Sequence, residues 1–374
     1  MSDGFHLTLL VGPLVPLPAP KVAMDALQSV KVASSASGES GFELVFTFSS
    51  DSALNTVFLI AGAQTPMLRV VIVVTINSVP QVLMDGVMTN HQMQPGPAGG
   101  ASTLTIMGKD LTKVLALQDF GGLPYPAMPI EARVAFILAK YAPFGLIPLV
   151  IPSLFTDVPV PVERIPTQEG TDLQYIQGLA RDVGHVFYIE PGPAPGTNVA
   201  YFGPPIKLGI PQPALNIDMD AHTNVQSLNF RFETAETSLP VVMIQNQLTR
   251  APIPLPIPRL NPLQPPLGLI PAPITNVTVL RDTARLSPPA ALARGVAAAS
   301  RSQDAVAGNG TLDVLRYGRV LRARQLVGVR GAGLAFDGLY YVEQATTTIK
   351  PGEFKQDFNL SRNGIVSTTP VVPT

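Results

Sequence analysis

The sequence predicts a mainly β protein with a small α/β domain set between two β domains. Runs of alternating polar and apolar residues bounded by Gly, Pro, Asn and Asp occupy both ends of the chain. Between them the period changes: Leu173, Ile176, Leu179, Ala180 and Val183 recur at helical spacing, and after Gly184 the alternation becomes twofold from His185 to Ile189. The length, 374 residues, exceeds what one hydrophobic core usually organises, so two or three domains are expected.

The elements follow in order. Residues 1–35 read as a Pro-rich arm ending in a strand-like piece at Val30 to Ala33. Phe42 to Ser49 alternates, and Leu54 to Ile60 and Leu68 to Ile76 follow as strands at the spacing of an antiparallel barrel. Asp85-Gly86 is a hairpin signal, and Ser102 to Met107 completes a first β domain over 36–110. Asp110 caps a short helix, Leu111 to Leu117. A second helix spans Ile130 to Tyr141, with Ile130, Val134, Ile137, Leu138 and Tyr141 on one face, and stops at Pro143 and Gly145. Phe144 to Pro166 is an extended connector. Thr171 is the expected N-cap and Gly184 the C′ residue of the amphipathic helix; a hairpin through Pro191 to Gly196 into Val199 to Phe202 closes the α/β domain, 111–205.

A second β domain covers 206–364, with strands at Val225 to Phe232, Val241 to Asn246 and Val277 to Leu280. Its insertion, 251–273, has nine prolines in 23 residues, which favours polyproline structure and excludes a central strand; it reads as a long loop, either a passive linker or a preformed docking arm. Ala290 to Ala305 is an Ala-rich helix weakly interrupted by Gly295. Turns at Gly331-Ala332-Gly333, Asp337-Gly338 and Pro351-Gly352 follow, the last joining Leu339 to Ile349 with Phe354 to Leu360 in a hairpin. The tail, 365–374, reads as extended or disordered.

Composition narrows the function classes. Hydrophobic residues make up 46% and charged residues 14% of the chain, against about a quarter in ordinary domains, so the surface is either covered by other subunits or that of an apolar-rich β protein. A net charge of −1 gives no basic footprint for nucleic acid. The absence of cysteine removes disulfides and thiol catalysis. The N-terminus lacks the basic region of a secretory signal, and the apolar block Thr56 to Val79 is broken by Gln64, Pro66 and Arg69, so no membrane span is expected.

No catalytic, cofactor or metal constellation stands out. His6, His91, His185 and His222 have no partners at ligand spacing. Asp218 and Asp220 form either a polar turn or a carboxylate pair near His222. The order of glycines in Gly328 to Gly333 is wrong for a nucleotide loop and suits a bend, and Ser40 misses a nucleophile elbow by one residue. Arg316, Arg319, Arg322, Arg324 and Arg330 form the one basic concentration, with Arg322 and Arg324 on one face of a strand. They read either as a solvated face or as charges that line a channel or meet a neighbouring subunit. Asp85-Gly86 and Asp337-Gly338, each followed by a strand, are a weak echo of internal duplication.

The succession of helix (Leu173, Ile176, Leu179), aromatic strand, turn and Tyr201-Phe202-Gly203-Pro204 resembles the late control protein D family. These are the hub proteins of contractile phage tails, and the family also supplies the hub half of type VI secretion spike proteins (VgrG). Segments 82–115 and 317–364, the latter with Asp337-Gly338, agree in order with that family. The resemblance implies two tube-protein-like β-barrel domains in one chain, and a homotrimer of six barrels that adapts the hexameric inner tube to a trimeric spike. It implies as partners the inner-tube or tube-initiator proteins, the spike and other baseplate subunits, with assembly in the bacterial cytoplasm. No needle repeat follows the last hairpin, so the spike is expected to be a separate polypeptide. The alternatives are a tail-associated peptidoglycan hydrolase and a carbohydrate-binding baseplate module. The missing catalytic constellation argues against the first, and the absence of Trp against the second.

Overall fold

The computed structural model describes residues 4–369 except 37, 50, 51, 53, 61, 63–66, 97–99, 154–164, 234–237, 246–251, 258–263, 281, 282, 284–287, 302 and 303. Strands dominate. The first group comprises β1 (Phe5–Gly12), β2 (Leu17–Pro18), β3 (Leu27–Ser35), β4 (Gly41–Phe48), β5 (Arg69–Ile76), β6 (Val79–Gln94) and β7 (Ser102–Asp110). A middle group holds β8 (Leu146–Val150), β9 (Val186–Pro191) and β10 (Asn198–Gly203). The rest are β11 (Gln212–Asn216), β12 (Val225–Phe232), β13 (Ser238–Gln245), β14 (Pro252–Pro256), β15 (Gly268–Pro271), β16 (Asn276–Leu280), β17 (Val306–Asp313), β18 (Leu326–Arg330), β19 (Gly338–Lys350), β20 (Glu353–Arg362) and β21 (Gly364–Ser367).

Alternation decides what each strand buries. In β4, Phe42, Leu44, Phe46 and Phe48 face the core while the residues between them stay half-exposed. β5 is apolar on both faces: Val70, Ile72 and Val74 join the main core, whereas Val71 and Val73 pack with Val82 and Leu10 on the other side. The β5–β6 hairpin turns at Asn77-Ser78, both at positive φ, as a two-residue loop following right-twisted strands requires. Asp85-Gly86 is therefore not the turn; it lies inside β6, where a Cβ on Gly86 would sit 2.2 Å from the Lys109 carbonyl oxygen. Asn55–Ile60 is a π-helix and not a strand, because Leu54 and Phe58, four residues apart, are the side chains the core takes up. Residues 4–35 do not form a separate arm: β1 pairs with β5 along its whole length, and β3 runs between β4 and β19.

Thirteen strands form one sheet along the path β12-β17-β20-β19-β3-β4-β7-β6-β5-β1-β2, with β18 and β11 branching from β19. Among the described residues the path is open at β12 and β2, so no closed barrel is present. Two halves of the sheet repeat one another. β5-β6-β7-β4-β3 has the same connectivity of neighbours as β18-β19-β20-β17-β12. The registers agree in detail. A bulge separates Leu27 and Ser29 opposite Phe46 and Val45, and another separates Val225 and Ser227 opposite Leu312 and Thr311. A second matching pair lies at Met88/Asn90 in β6 and Val342/Gln344 in β19. The amide of Met88 donates to Leu68 as that of Val342 donates to Gln325. In this alignment Asp85 corresponds to Leu339, so the two Asp-Gly pairs of the sequence are out of register with the duplication they hinted at. β11 departs from the pattern, running parallel to β18 where β1 is antiparallel to β5.

Between the repeats lies the α/β unit, a sheet ordered β8-β10-β9 covered by helices at Thr112–Leu115, Ile130–Ala139 and Asp172–Val183. Thr171 and Gln174 form a reciprocal capping box, and Gly184 ends the helix at φ 70°. Ile176, Leu179, Val134, Ile137, Leu138 and Phe202 share its core. The connector contributes β8, parallel to β10; its residues 154–164 lie outside the described residues.

The proline-rich segment is partly strand. β14, with prolines at 252, 254 and 256, lies on the edge of the sheet β14-β13-β16, the place where missing amide donors are tolerated. β15 pairs with β21, so Gly364–Ser367 is not a loose tail; 370–374 lie outside the described residues. Helix Pro288–Arg301 packs on β13. Gly295 does not interrupt it but permits contact, since a Cβ there would lie 2.5 Å from Val242 Cγ2.

Candidate assembly site

The seam between the repeats is the antiparallel pairing of β3 with β19, from Ser35 opposite Gln344 to Val30 opposite Ile349. It forms there because Val30 and Val32 on one strand and Thr347 and Ile349 on the other are all buried on one face. Arg324 fastens its end. The side chain, 7% exposed, donates from Nη1 to Glu190 Oε1 at 3.0 Å and from Nη2 to the Ser35 carbonyl, with its guanidinium 4.2 Å from the Tyr188 ring. One residue thus ties the end of β3, strand β9 of the α/β unit and the approach to β18.

This placement corrects the arginine reading. Residues 321–325 are not a strand: Arg324 has φ 65°, and side-chain amides hold the backbone before it. Gln212 accepts from the Arg322 amide (2.8 Å) and donates to its carbonyl (2.9 Å). Gln356 accepts from the Leu321 amide (2.7 Å) and donates to its carbonyl (3.0 Å) and to Thr347 Oγ1 (2.9 Å). Arg324 is withdrawn into the seam, while Arg316, Arg319 and Arg322 are exposed. Asp218 and Asp220 fall in a turn, both at positive φ, and no cluster of three or more metal-ligating side chains occurs among the described residues.

A second tie joins the α/β unit to the first repeat. Arg69 and Asp85 form a buried bidentate pair, both bonds 2.7 Å. Arg69 also donates to the carbonyls of Leu14 (2.9 Å) and Gly196 (3.0 Å), and Asn198 Nδ2 donates to Asp85 Oδ2 at 2.8 Å. No sequence signal announced this pair, because its members are 16 residues apart and its outer partners come from other elements.

The motif residues are structural here. Leu173 borders the α/β core that buries Ile176 and Leu179; Tyr201 stacks on Tyr188 (4.9 Å) and donates to the Pro204 carbonyl (2.6 Å). A Cβ on Gly203 would lie 2.7 Å from the Tyr201 hydroxyl, which explains the glycine. Phe202 is fully buried and meets His185 edge-on at 5.2 Å. Asp337 accepts from the Ala332 amide (2.7 Å), and Gly338 opens β19 at φ 127°.

His185 is pushed down to about 4 from 6.5 by burial, against a smaller upward pull from Glu131, and its Nδ1 has no hydrogen-bond partner among the described residues. The neutral form is the native one, so below 6.5 the unfolded chain takes up a proton that the folded chain refuses. Stability should therefore fall as pH drops from 6.5 to 4, by on the order of 1–2 kcal/mol once the partial exposure of the ring is allowed for. Urea melts at several pH values should show the slope flatten in His185→Phe.

Among the described residues, two stretches of edge within the repeated strands are unpaired. The outer edge of β12 pairs with no described strand, and Phe232 is 36% exposed on it. In β6, residues 89–94 pair only with β7 and are exposed, Met93 by 52%.

No known family profile and no curated protein matches the sequence. Solved structures do. A tail protein from Neisseria meningitidis MC58 superposes with a TM-score of 0.65 at 15% identity, over 97% of this chain and 98% of that one. The 43 kDa tail protein of prophage MuSo2 from Shewanella oneidensis gives 0.60 at 14%, over 96% and 98%. The E. coli c3393 protein, a type VI secretion component similar in structure to the T4 tail proteins gp27 and gp5, gives 0.51 at 11%, over 92% and 74%. The likeness establishes a common fold.

Proposed function

We propose, from a fold shared with phage tail proteins and a type VI secretion component, that this chain is the structural hub of a phage-tail or injection-system baseplate. It acts as a homotrimer that adapts a hexameric inner tube to a trimeric spike. The observation that carries the reading is the duplicated sheet, whose two halves agree in strand order, in register and in two pairs of bulges. Each half stands for one subunit of the tube, so three chains present six quasi-equivalent units to the tube and keep threefold symmetry towards the spike.

A trimeric spike, inner-tube or tube-initiator proteins and other baseplate subunits complete the contacts. Assembly takes place in the bacterial cytoplasm. Arg316, Arg319 and Arg322 are the charges free to line a channel or to meet a neighbour, Arg324 being already engaged. The role is structural, and purified protein should leave no cleared zone in a cell-wall zymogram.

Size-exclusion chromatography with light scattering tests the reading. A mass three times the 39.6 kDa of the chain is expected. A persistent monomer that also fails to bind tube and spike proteins would overturn it.

A further inference from the structure

The duplication specifies more than a copy number. Within one chain, β19 gives one edge to two strands: Gly338–Tyr341 pairs with β18, and Gln344–Ile349 pairs with β3 of the other repeat. β6 is the counterpart of β19, and its first part pairs with β5 as that of β19 does with β18. Its second part, the counterpart of the β3-binding segment, is the open edge at residues 89–94. β12 is the counterpart of β3, and its outer edge is the other open one. The molecule therefore carries both halves of a second seam, unjoined.

We infer that β12 of one copy pairs antiparallel with residues 90–94 of β6 in the next copy, in the register of the internal β3–β19 seam. The equivalences fix the register. Val32 opposite Thr347 becomes Phe230 opposite Met93, and Ala33 opposite Thr346 becomes Arg231 opposite Gln92. Likewise Lys31 opposite Thr348 becomes Asn229 opposite Gln94, and Ser34 opposite Ala345 becomes Phe232 opposite His91.

The side chains suit this pairing. Val32 and Thr347 are buried in the internal seam, and their counterparts Phe230 and Met93 are apolar residues on the corresponding face. Phe230 is already stacked 5.0 Å from Phe336 at the rim of the main core, so Met93 would extend that core into the neighbour. An exposed strand edge with phenylalanines on it is a template for another chain, and a specific partner in fixed register is what prevents unspecific stacking. The contact is heterologous, which gives a closed ring where the rotation closes and a filament where it does not; closure at three rests on the trimeric reading above.

The native chain has no cysteine, which allows a direct test. The double variant Gln92→Cys, Arg231→Cys places thiols on directly opposed residues, and oxidation of the full-length protein should give covalent trimers on non-reducing gels. Gln92→Cys, Asn229→Cys, two residues out of register, should stay monomeric on the same gels. Met93→Asp should leave the melting temperature of the monomer unchanged and weaken association on the order of a hundredfold, because a carboxylate would be buried between copies. Trimers by light scattering without the in-register cross-link would overturn the pairing and leave the hub reading standing. An in-register ladder that runs past three would confirm the pairing and overturn the trimer. A chain that neither associates nor cross-links at any concentration overturns both.

Discussion

Asp85→Ala should cost about 3–5 kcal/mol of folding stability, the range for breaking a buried ion pair by removing one partner. The change leaves the Arg69 guanidinium buried with only the carbonyls of Leu14 and Gly196 to bind it, and takes from Asn198 Nδ2 its acceptor. Both charged side chains are essentially inaccessible, at 2% and 0% exposure, so water cannot take over. The damage should be local first, since the three attached segments are the loop after β1, strand β6 and the β9–β10 turn. Loss of this tie loosens the α/β unit from the first repeat. Chemical denaturation should show the shift, and the double variant Arg69→Met, Asp85→Leu should recover much of it by removing both charges together. A loss below about 1 kcal/mol would mean that the pair is solvated in solution.

Arg362→Leu should be of similar size. Among the described residues Arg362 is the largest fully buried side chain, and none of their carboxylates forms an ion pair with it. Its three donors go to carbonyls: Nε to Gly364 (2.7 Å), Nη1 to Asp337 (2.9 Å) and Nη2 to Ala335 (2.7 Å), with the guanidinium 4.4 Å from the Tyr340 ring. Burial lowers its proton affinity, but the ordinary value of an arginine is so high that the side chain keeps its charge at neutral pH. Leucine would strand three acceptors, at about 1–3 kcal/mol for each that stays buried, giving about 3–5 kcal/mol after relaxation. Arg362→Lys should not rescue the protein, because one ammonium cannot span three carbonyls held in a fork. Hydrogen exchange should report the loss first in the turn before β19 and in β21, the segments that Arg362 holds together.

Much of this fold can be read in the sequence where the decisive physics is local. The helix Asp172–Val183 announces itself through Thr171, Gln174 and Gly184, and the hairpin at Pro351-Gly352 through its turn residues. Local signals also misled. Asp85-Gly86 carries turn chemistry, yet the glycine is there for a close approach to β7 and the aspartate for Arg69. Asn77-Ser78 makes the real turn with a weaker signature. The duplication was hardly visible because it is kept in strand register and bulge position, whereas paired side chains such as Thr347 and Met93 share little. The seam joins Val30 to Ile349, and no pattern along the chain encodes a partner so distant. Arg324 looked like surface charge because sequence shows neither its left-handed backbone nor Glu190 and Ser35 beside it.

Arg324 has no twin. The repeat alignment sets Leu68 against Gln325, and therefore Met67 against Arg324, so the first repeat lacks the latch that the second one has. In the proposed ring the two seams are then unequal in permanence. The one inside the chain is tethered and locked, and dilution does not open it. The one between copies has no such lock and obeys mass action. Subunits should arrive at the ring with their repeats already wedded and should leave it the same way, which discourages exchange of repeats between neighbours and sets a fixed order of events: each chain folds first, and the circle closes last.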